Sequence, residues 1–151
     1  MTDYKNLISQ LRALAEAEPW YVPLLSNASA LLMEALPDLN WAGFYLLRGD
    51  ALVLGPFQGR VACIRIAPGR GVCGTALVKD ETQLVPDVHA FPGHIACDAA
   101  SASEIVVPIR SSGRVVAVLD LDSPTPGRFT EADREGLESF ARVLETLAAF
   151  D

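Results

Sequence analysis

The stretch "EIVVPIRSSGRVVAVLDLDS", residues 104–123, constrains the fold more than any other part of the chain. Two strongly β-prone runs flank Ser111-Ser112-Gly113, so the segment predicts an antiparallel hairpin. In the second arm Val115, Val116, Val118, Leu119 and Leu121 are apolar on both sides of a strand. A sheet with one solvated face alternates apolar and polar residues, whereas this pattern belongs to a central strand covered on both faces.

Helices are predicted at both ends of the chain. Thr2 and Asp3 can cap a helix whose apolar residues Leu7, Ile8, Leu11, Leu14 and Ala15 recur at three- and four-residue steps. "PWYVP" at 19–23 interrupts it, and Leu24, Leu25, Ala28, Leu31, Leu32 and Leu36 continue a second helix that stops at Pro37. "WAGFYLLRGDALVLGPFQG" then reads as a hairpin turning at Arg48-Gly49-Asp50. "ACIRIA", 62–67, reads as a third strand, and "GRGVCGTALVKD" leads into a short helix from about Val72 to Lys79. Residues 85–103 form a long irregular stretch, of the kind that inside compact domains is more often functional than accidental. Pro124, Pro126 and Gly127 end the sheet, and Thr130 with Asp133 has the form of a capping box at the head of a long amphipathic helix. The expected fold is α+β, a central antiparallel sheet with N- and C-terminal helices packed on one face, in one domain spanning residues 1–151.

Composition narrows the function. Half of the 151 residues are hydrophobic and 21% are charged, ordinary for a globular chain rather than a disordered one. The net charge of −7 argues against binding a phosphate backbone, so no nucleic-acid partner is expected. The opening "MTDYKNLISQLRALAEAEP" is polar and amphipathic, and no later apolar run is long enough to span a bilayer. The expectation is a cytoplasmic protein without membrane attachment. In that reducing compartment the three cysteines would not persist as structural bridges, so a disulfide among them should be transient and catalytic.

Cys63 falls on the predicted third strand, Cys73 at the start of the short helix, and Cys97 in the long loop, after His89 and His94 and before Glu104. Their spacing lacks the paired C-x2–4-C knuckles of structural zinc sites, so no metal is expected. A strand position suits an inert packing thiol, which is the plain reading of Cys63. Cys97, in a polar loop near imidazoles, better suits an accessible and partly ionised thiol. In "AVLDLDS" strand alternation places Asp120 and Asp122 on one face and Leu119 and Leu121 on the other. A solvated edge strand would carry such acids without consequence. On a covered strand their repulsion and desolvation raise at least one pKa, giving a proton donor near neutrality. Trp41 and Tyr45, four apart on a strand, share a face, either as core packing or as the wall of a small pocket.

These residues lie within longer motifs, "NWAGFYLL", "LGPFQGRVACIRIAPGRGVCGTA", "DVHAFPGHIACDAASASEIVVPI" and "VLDLDSP", which together resemble the GAF-domain enzymes that reduce free methionine-R-sulfoxide. Likeness to GAF domains in general implies only a small-molecule pocket. The three cysteines in these contexts single out the reductase branch. The resemblance implies that Cys97 is the nucleophile and Cys63 the resolving thiol, with Cys73 matching a further family cysteine that resolves or relays in some members. It makes Glu104, Asp120 and Asp122 the pocket carboxylates, and Trp41 and Tyr45 the aromatic wall around the substrate's methylthio end.

The implied reaction is reduction of free methionine-R-sulfoxide by the Cys97 thiolate through a sulfenic acid and an intramolecular disulfide. The implied partners are a thioredoxin-type reductant and a second copy of the chain in a homodimer, and no metal or organic cofactor is needed. His89 and His94, if protonated, would offset the opposition of the acids to ionisation of Cys97. The rival readings are a noncatalytic GAF sensor of a small molecule and a peroxide-responsive redox sensor using the same Cys63 and Cys97.

Overall fold

The computed structural model describes residues 1–95, 97 and 99–151. These form, in chain order, α1 (Tyr4–Ala17), α2 (Tyr21–Ala35), β1 (Trp41–Arg48), β2 (Ala51–Gly59), β3 (Arg65–Ile66), α3 (Gly71–Lys79), β4 (Gln83–Val85), β5 (Ser103–Ser111), β6 (Arg114–Ser123) and α4 (Glu131–Leu147). The strands make one sheet in the order β3-β2-β1-β6-β5-β4, antiparallel throughout. In this order β6 is a central strand, as its apolar residues on both faces require.

Local chemistry accounts for most element boundaries. The Asp3 carboxylate accepts from the Asn6 backbone N–H at the head of α1. At α4, Thr130 accepts from Asp133 N–H while the Asp133 side chain accepts from Thr130 N–H, a complete capping box. Gly49 and the Ser112-Gly113 pair take positive φ in the two hairpin turns, where glycine carries no Cβ penalty.

The sheet separates two apolar layers. On one face Phe44, Ile105, Val107, Ile109, Leu119 and Leu121 pack against α2 and α4, with α1 lying over both helices. On the other, Trp41, Tyr45, Val106 and Val118 pack against α3 and the adjoining loops. From Ala117 onward β6 alternates, with Leu119 and Leu121 in the helix-covered layer and Asp120 and Asp122 turned to the α3 side. Phe140 of α4 is wholly buried at the centre of the helical layer. Phe140→Ala is expected to lower the unfolding free energy by about 3–5 kcal/mol, seen as a lower denaturant midpoint at unchanged slope.

Three expectations need correction. The second helix begins at Tyr21 rather than after Pro23, because a proline in the first helical turn lacks only an N–H that has no intrahelical partner there. The third strand is reduced to Arg65 and Ile66, paired with Val53 and Leu52, so Cys63 lies in the preceding loop and not on a strand. Upstream, side chains of β1 take the carbonyls a ladder would have used: Trp41 Nε1–H donates to Arg60 O at 3.2 Å and the Tyr45 hydroxyl to Cys63 O at 3.0 Å. Within the long irregular stretch, Val85 instead closes β4, and Val88–Ala90 form a 3-10 turn whose lead residue Asp87 accepts from His89 N–H.

Candidate active site

Sheet register assembles the acids. Glu104 of β5 pairs with Asp122 of β6, which on its other side pairs with Trp41 of β1, forming one row across three strands. One pleat along, Asp120 stands between Val106 and Gly43. Side chains in such a row are about 5 Å apart at Cβ, so the carboxyl groups of Glu104, Asp120 and Asp122 crowd together. The absence of a side chain at Gly43 is structural. A Cβ there would stand 2.3 Å from Phe57 Cβ and 2.9 Å from the Trp41 ring. Phe57 stacks on Trp41 with centroids 5.1 Å apart, and Trp41 stacks on Tyr45 at 5.9 Å. Phe57 and Gly43 were not among the residues singled out from sequence, although glycine inside a strand is a signal of close approach.

Above this face lies the first turn of α3, whose Gly71, Val72 and Cys73 border a cavity of about 50 Å³. Trp41, Tyr45, Cys73, Cys97, Glu104, Asp120 and Asp122 all border the same cavity. Cys63 stands just outside it, joined to Cys97 by a disulfide with Cα atoms 5.5 Å apart. Every residue expected at the site is thus brought to one place. Cys73 is a free thiol and is buried. His94 and Arg70 also reach the cavity, whereas His89 meets the edge of the His94 ring from outside it, with centroids 6.2 Å apart.

The electrostatics follow from burial of like charges. Glu104 and Asp120 are 8% and 5% exposed, and desolvation raises both pKa values. Glu104 is held well above the carboxylate range by burial first, then by the charges of Asp120 and Asp122, and as hydrogen-bond partner of both. Asp120 is pulled back toward the anion by hydrogen bonds from Glu104 and from the Cys73 thiol. Of the two, Glu104 is the acid whose surroundings all favour keeping a proton. Asp120 Oδ1 has no hydrogen-bond partner among the described residues, an oxygen left for something that enters the cavity. Cys73 is pushed well up by burial and by the same acids, so it stays a thiol. The Tyr45 phenol is raised by burial and by Asp120, and keeps the proton it donates to Cys63 O. Burial and the neighbouring His89 lower the pKa of His94, so His94 is a poor source of the positive charge expected to favour Cys97 ionisation.

Cys73 Sγ and one oxygen each from Glu104 and Asp120 lie within 4.8 Å of one another, close enough to share a cation. Among the described residues no fourth histidine, cysteine or carboxylate joins them at that distance, so the four-ligand set of a structural zinc site is not assembled.

The GAF domain family matches residues 23–146. The free methionine-R-sulfoxide reductase of Escherichia coli (strain K12) is 53% identical to this chain over 146 residues, covering 97% of it and 88% of the relative. The structure of fRMsr of Staphylococcus aureus in its reduced form superposes with a TM-score of 0.95 at 50% identity, covering 99% of this chain and 97% of that one. The X-ray structure of free methionine-R-sulfoxide reductase from Neisseria meningitidis in complex with its substrate superposes at 0.91 with 46% identity, covering 95% and 86%. Likeness of this extent, over nearly the whole of each chain, means that the chain belongs to the free methionine-R-sulfoxide reductase family.

Proposed function

We propose that the protein reduces free methionine-R-sulfoxide to methionine, with Cys97 as nucleophile, Glu104 as proton donor and Cys63 as resolving thiol. The observation that carries the reading is the sulfur of Cys97, linked to Cys63 and bordering the cavity that holds the buried acids.

In the reduced protein the Cys97 thiolate attacks the sulfoxide sulfur while the Glu104 proton passes to the sulfoxide oxygen. The oxygen leaves as hydroxyl to the Cys97 sulfur and methionine departs, so the substrate gains two electrons and Cys97 becomes a sulfenic acid. The Cys63 thiol then condenses with it, forming the disulfide and releasing water. A thioredoxin-type dithiol restores both thiols. Cys73 donates to Asp120 rather than to sulfur chemistry in this scheme.

The cavity suits a free amino acid. Asp120, with its open Oδ1, and Asp122 can take the ammonium, and the N–H groups of the first turn of α3 can take the carboxylate. Trp41 and Tyr45 offer ring faces to the methylthio group. A methionine within a polypeptide has no ammonium and would leave a buried carboxylate without a partner, a penalty that discriminates strongly. No described helix is long and apolar enough to cross a membrane, and a cytoplasmic homodimer is part of the same proposal.

Turnover assays with the R and S epimers of free methionine sulfoxide and an R-sulfoxide peptide test the reading. The expected result is reduction of the free R epimer alone. In Cys63→Ser with thioredoxin as reductant, a single turnover should leave a sulfenic acid that dimedone captures. Equal turnover of the peptide, or undiminished cycling of Cys63→Ser, would count against it.

A further inference from the structure

The disulfide has an unusual border. Val61 and Ile64, on either side of Cys63, are 89% and 70% exposed, among the most exposed large apolar side chains of the protein. This is not a frayed segment. Its carbonyls are anchored inward, Arg60 O by Trp41, Cys63 O by Tyr45 and Ile64 O by the Leu54 N–H at 2.9 Å. A backbone so held presents the two apolar side chains outward, and exposed apolar groups clustered at one place mark contact sites.

Charge singles out the same border. The chain carries 19 acids against 12 lysines and arginines, yet no acid occurs between Asp50 and Asp80. Arg60, Arg65 and Arg70 all fall in that interval and are exposed, and no ion pair among the described residues engages them. An anionic protein thus flanks Cys63 along the chain with cations and apolar groups. That combination complements an acidic surface with an apolar centre, and it would speed encounter with such a partner.

We infer that the reductant is an acidic protein dithiol that docks on the rim of Arg60, Val61, Ile64 and Arg65 and attacks the sulfur of Cys63. The inference rests on the redox cycle proposed above and assigns its last step to a surface and a sulfur. A folded reductant must bring its own sulfur into line with the S–S bond, so its docking surface must adjoin the bond. Cys97 borders the cavity, beside half-buried Ile95 and His94, while Cys63 does not border it and is followed by exposed Ile64 and Arg65, with Val61 at the cavity's edge. Attack by the partner's thiolate on Cys63 Sγ breaks the Cys63–Cys97 bond and expels Cys97 as the thiolate needed for the next cycle. The partner's second thiolate then attacks its own sulfur in the mixed disulfide. Cys63 leaves as a thiolate and is protonated by water, and the two electrons gained by this protein leave the partner as a disulfide.

The test uses the full chain oxidised with diamide, so that it does not depend on sulfoxide turnover. A thioredoxin lacking its second active-site cysteine should be trapped on Cys63, read by mass spectrometry of the linked peptides. The double variant Ile64→Ser/Arg65→Glu should be reduced by intact thioredoxin about tenfold or more slowly, with reduction by dithiothreitol within about twofold of wild type. Linkage to Cys97 overturns the inference. So does a variant that thioredoxin reduces as fast as wild type, or one slowed equally toward dithiothreitol. A shift in oligomeric state on sedimentation also overturns it, since the rim would then be an interface between copies. If the sulfoxide fails to oxidise the protein while the thioredoxin preference persists, the proposed reaction fails and the docking surface stands.

Discussion

Cys97→Ser is expected to abolish reduction of free methionine-R-sulfoxide, with kcat/KM falling by at least about 10³-fold. A serine hydroxyl at neutral pH is a far weaker nucleophile than a thiolate. The loss should appear in single-turnover experiments as well as in steady state, which separates failed chemistry from failed recycling. Binding should survive, because the groups that hold the amino acid lie on the sheet and on α3 rather than at position 97. Isothermal titration of the variant with the sulfoxide checks that. The substitution also removes the cross-link between residues 34 apart in sequence. Oxidised wild type should therefore exceed Cys97→Ser in stability by about 2–4 kcal/mol, a difference that vanishes under a reductant. Residual turnover of more than a few per cent, with serine verified at position 97, would place the nucleophile elsewhere.

The second large effect is expected at Glu104. Glu104→Gln keeps the shape and a donor N–H but removes the transferable proton, and kcat should fall by about 10²–10⁴-fold. The pH profile carries the signature. Because burial and the charges of Asp120 and Asp122 raise the pKa of Glu104, wild-type activity should decline as pH rises through that raised value, and the variant should lose this limb. Stability falls in the same direction as activity when pH rises. A carboxyl whose pKa is raised on folding contributes most below its ordinary range, and that contribution is lost as pH rises through the folded value. Wild type should thus lose stability on going from acid toward and above neutrality, with a shallower loss in Glu104→Gln. At neutral pH the variant should be more stable by about 1 kcal/mol, measured by denaturant unfolding. A variant that is both inactive and less stable at every pH would mark Glu104 as a structural acid rather than a proton donor.

Much of the scaffold was legible because it rests on local rules. The turns at Gly49-Asp50 and Ser112-Gly113, the cap at Asp3 and the box at Thr130 and Asp133 each depend on neighbours within a few residues. The two-residue period of β6 was enough to put Asp120 and Asp122 on the face away from Leu119 and Leu121. Less local features were missed. β4 has only three residues and is held by pairing with Val106, Ile105 and Glu104, partners that no short window contains. Cys63 was expected on a strand because "ACIRIA" has strand composition. Trp41 and Tyr45, some twenty residues upstream, take the carbonyls of its segment instead. The stacking of Phe57 on Trp41 across the gap left by Gly43 needs the register of a hairpin and the bulge within it.

The order of residues already limits the chemistry: three thiols in a family context, two acids on one strand face, and an aromatic pair in step with them. Periodicity and motif are properties of the chain and survive without coordinates. Folding alone settled that Glu104, Asp120 and Asp122 meet at one buried cavity where desolvation raises the pKa of Glu104 and Asp120, and that Cys63 is bonded to Cys97 while Cys73 remains free. Those outcomes depend on desolvation and on distances between residues far apart in sequence, and both come into existence only when the sheet has closed.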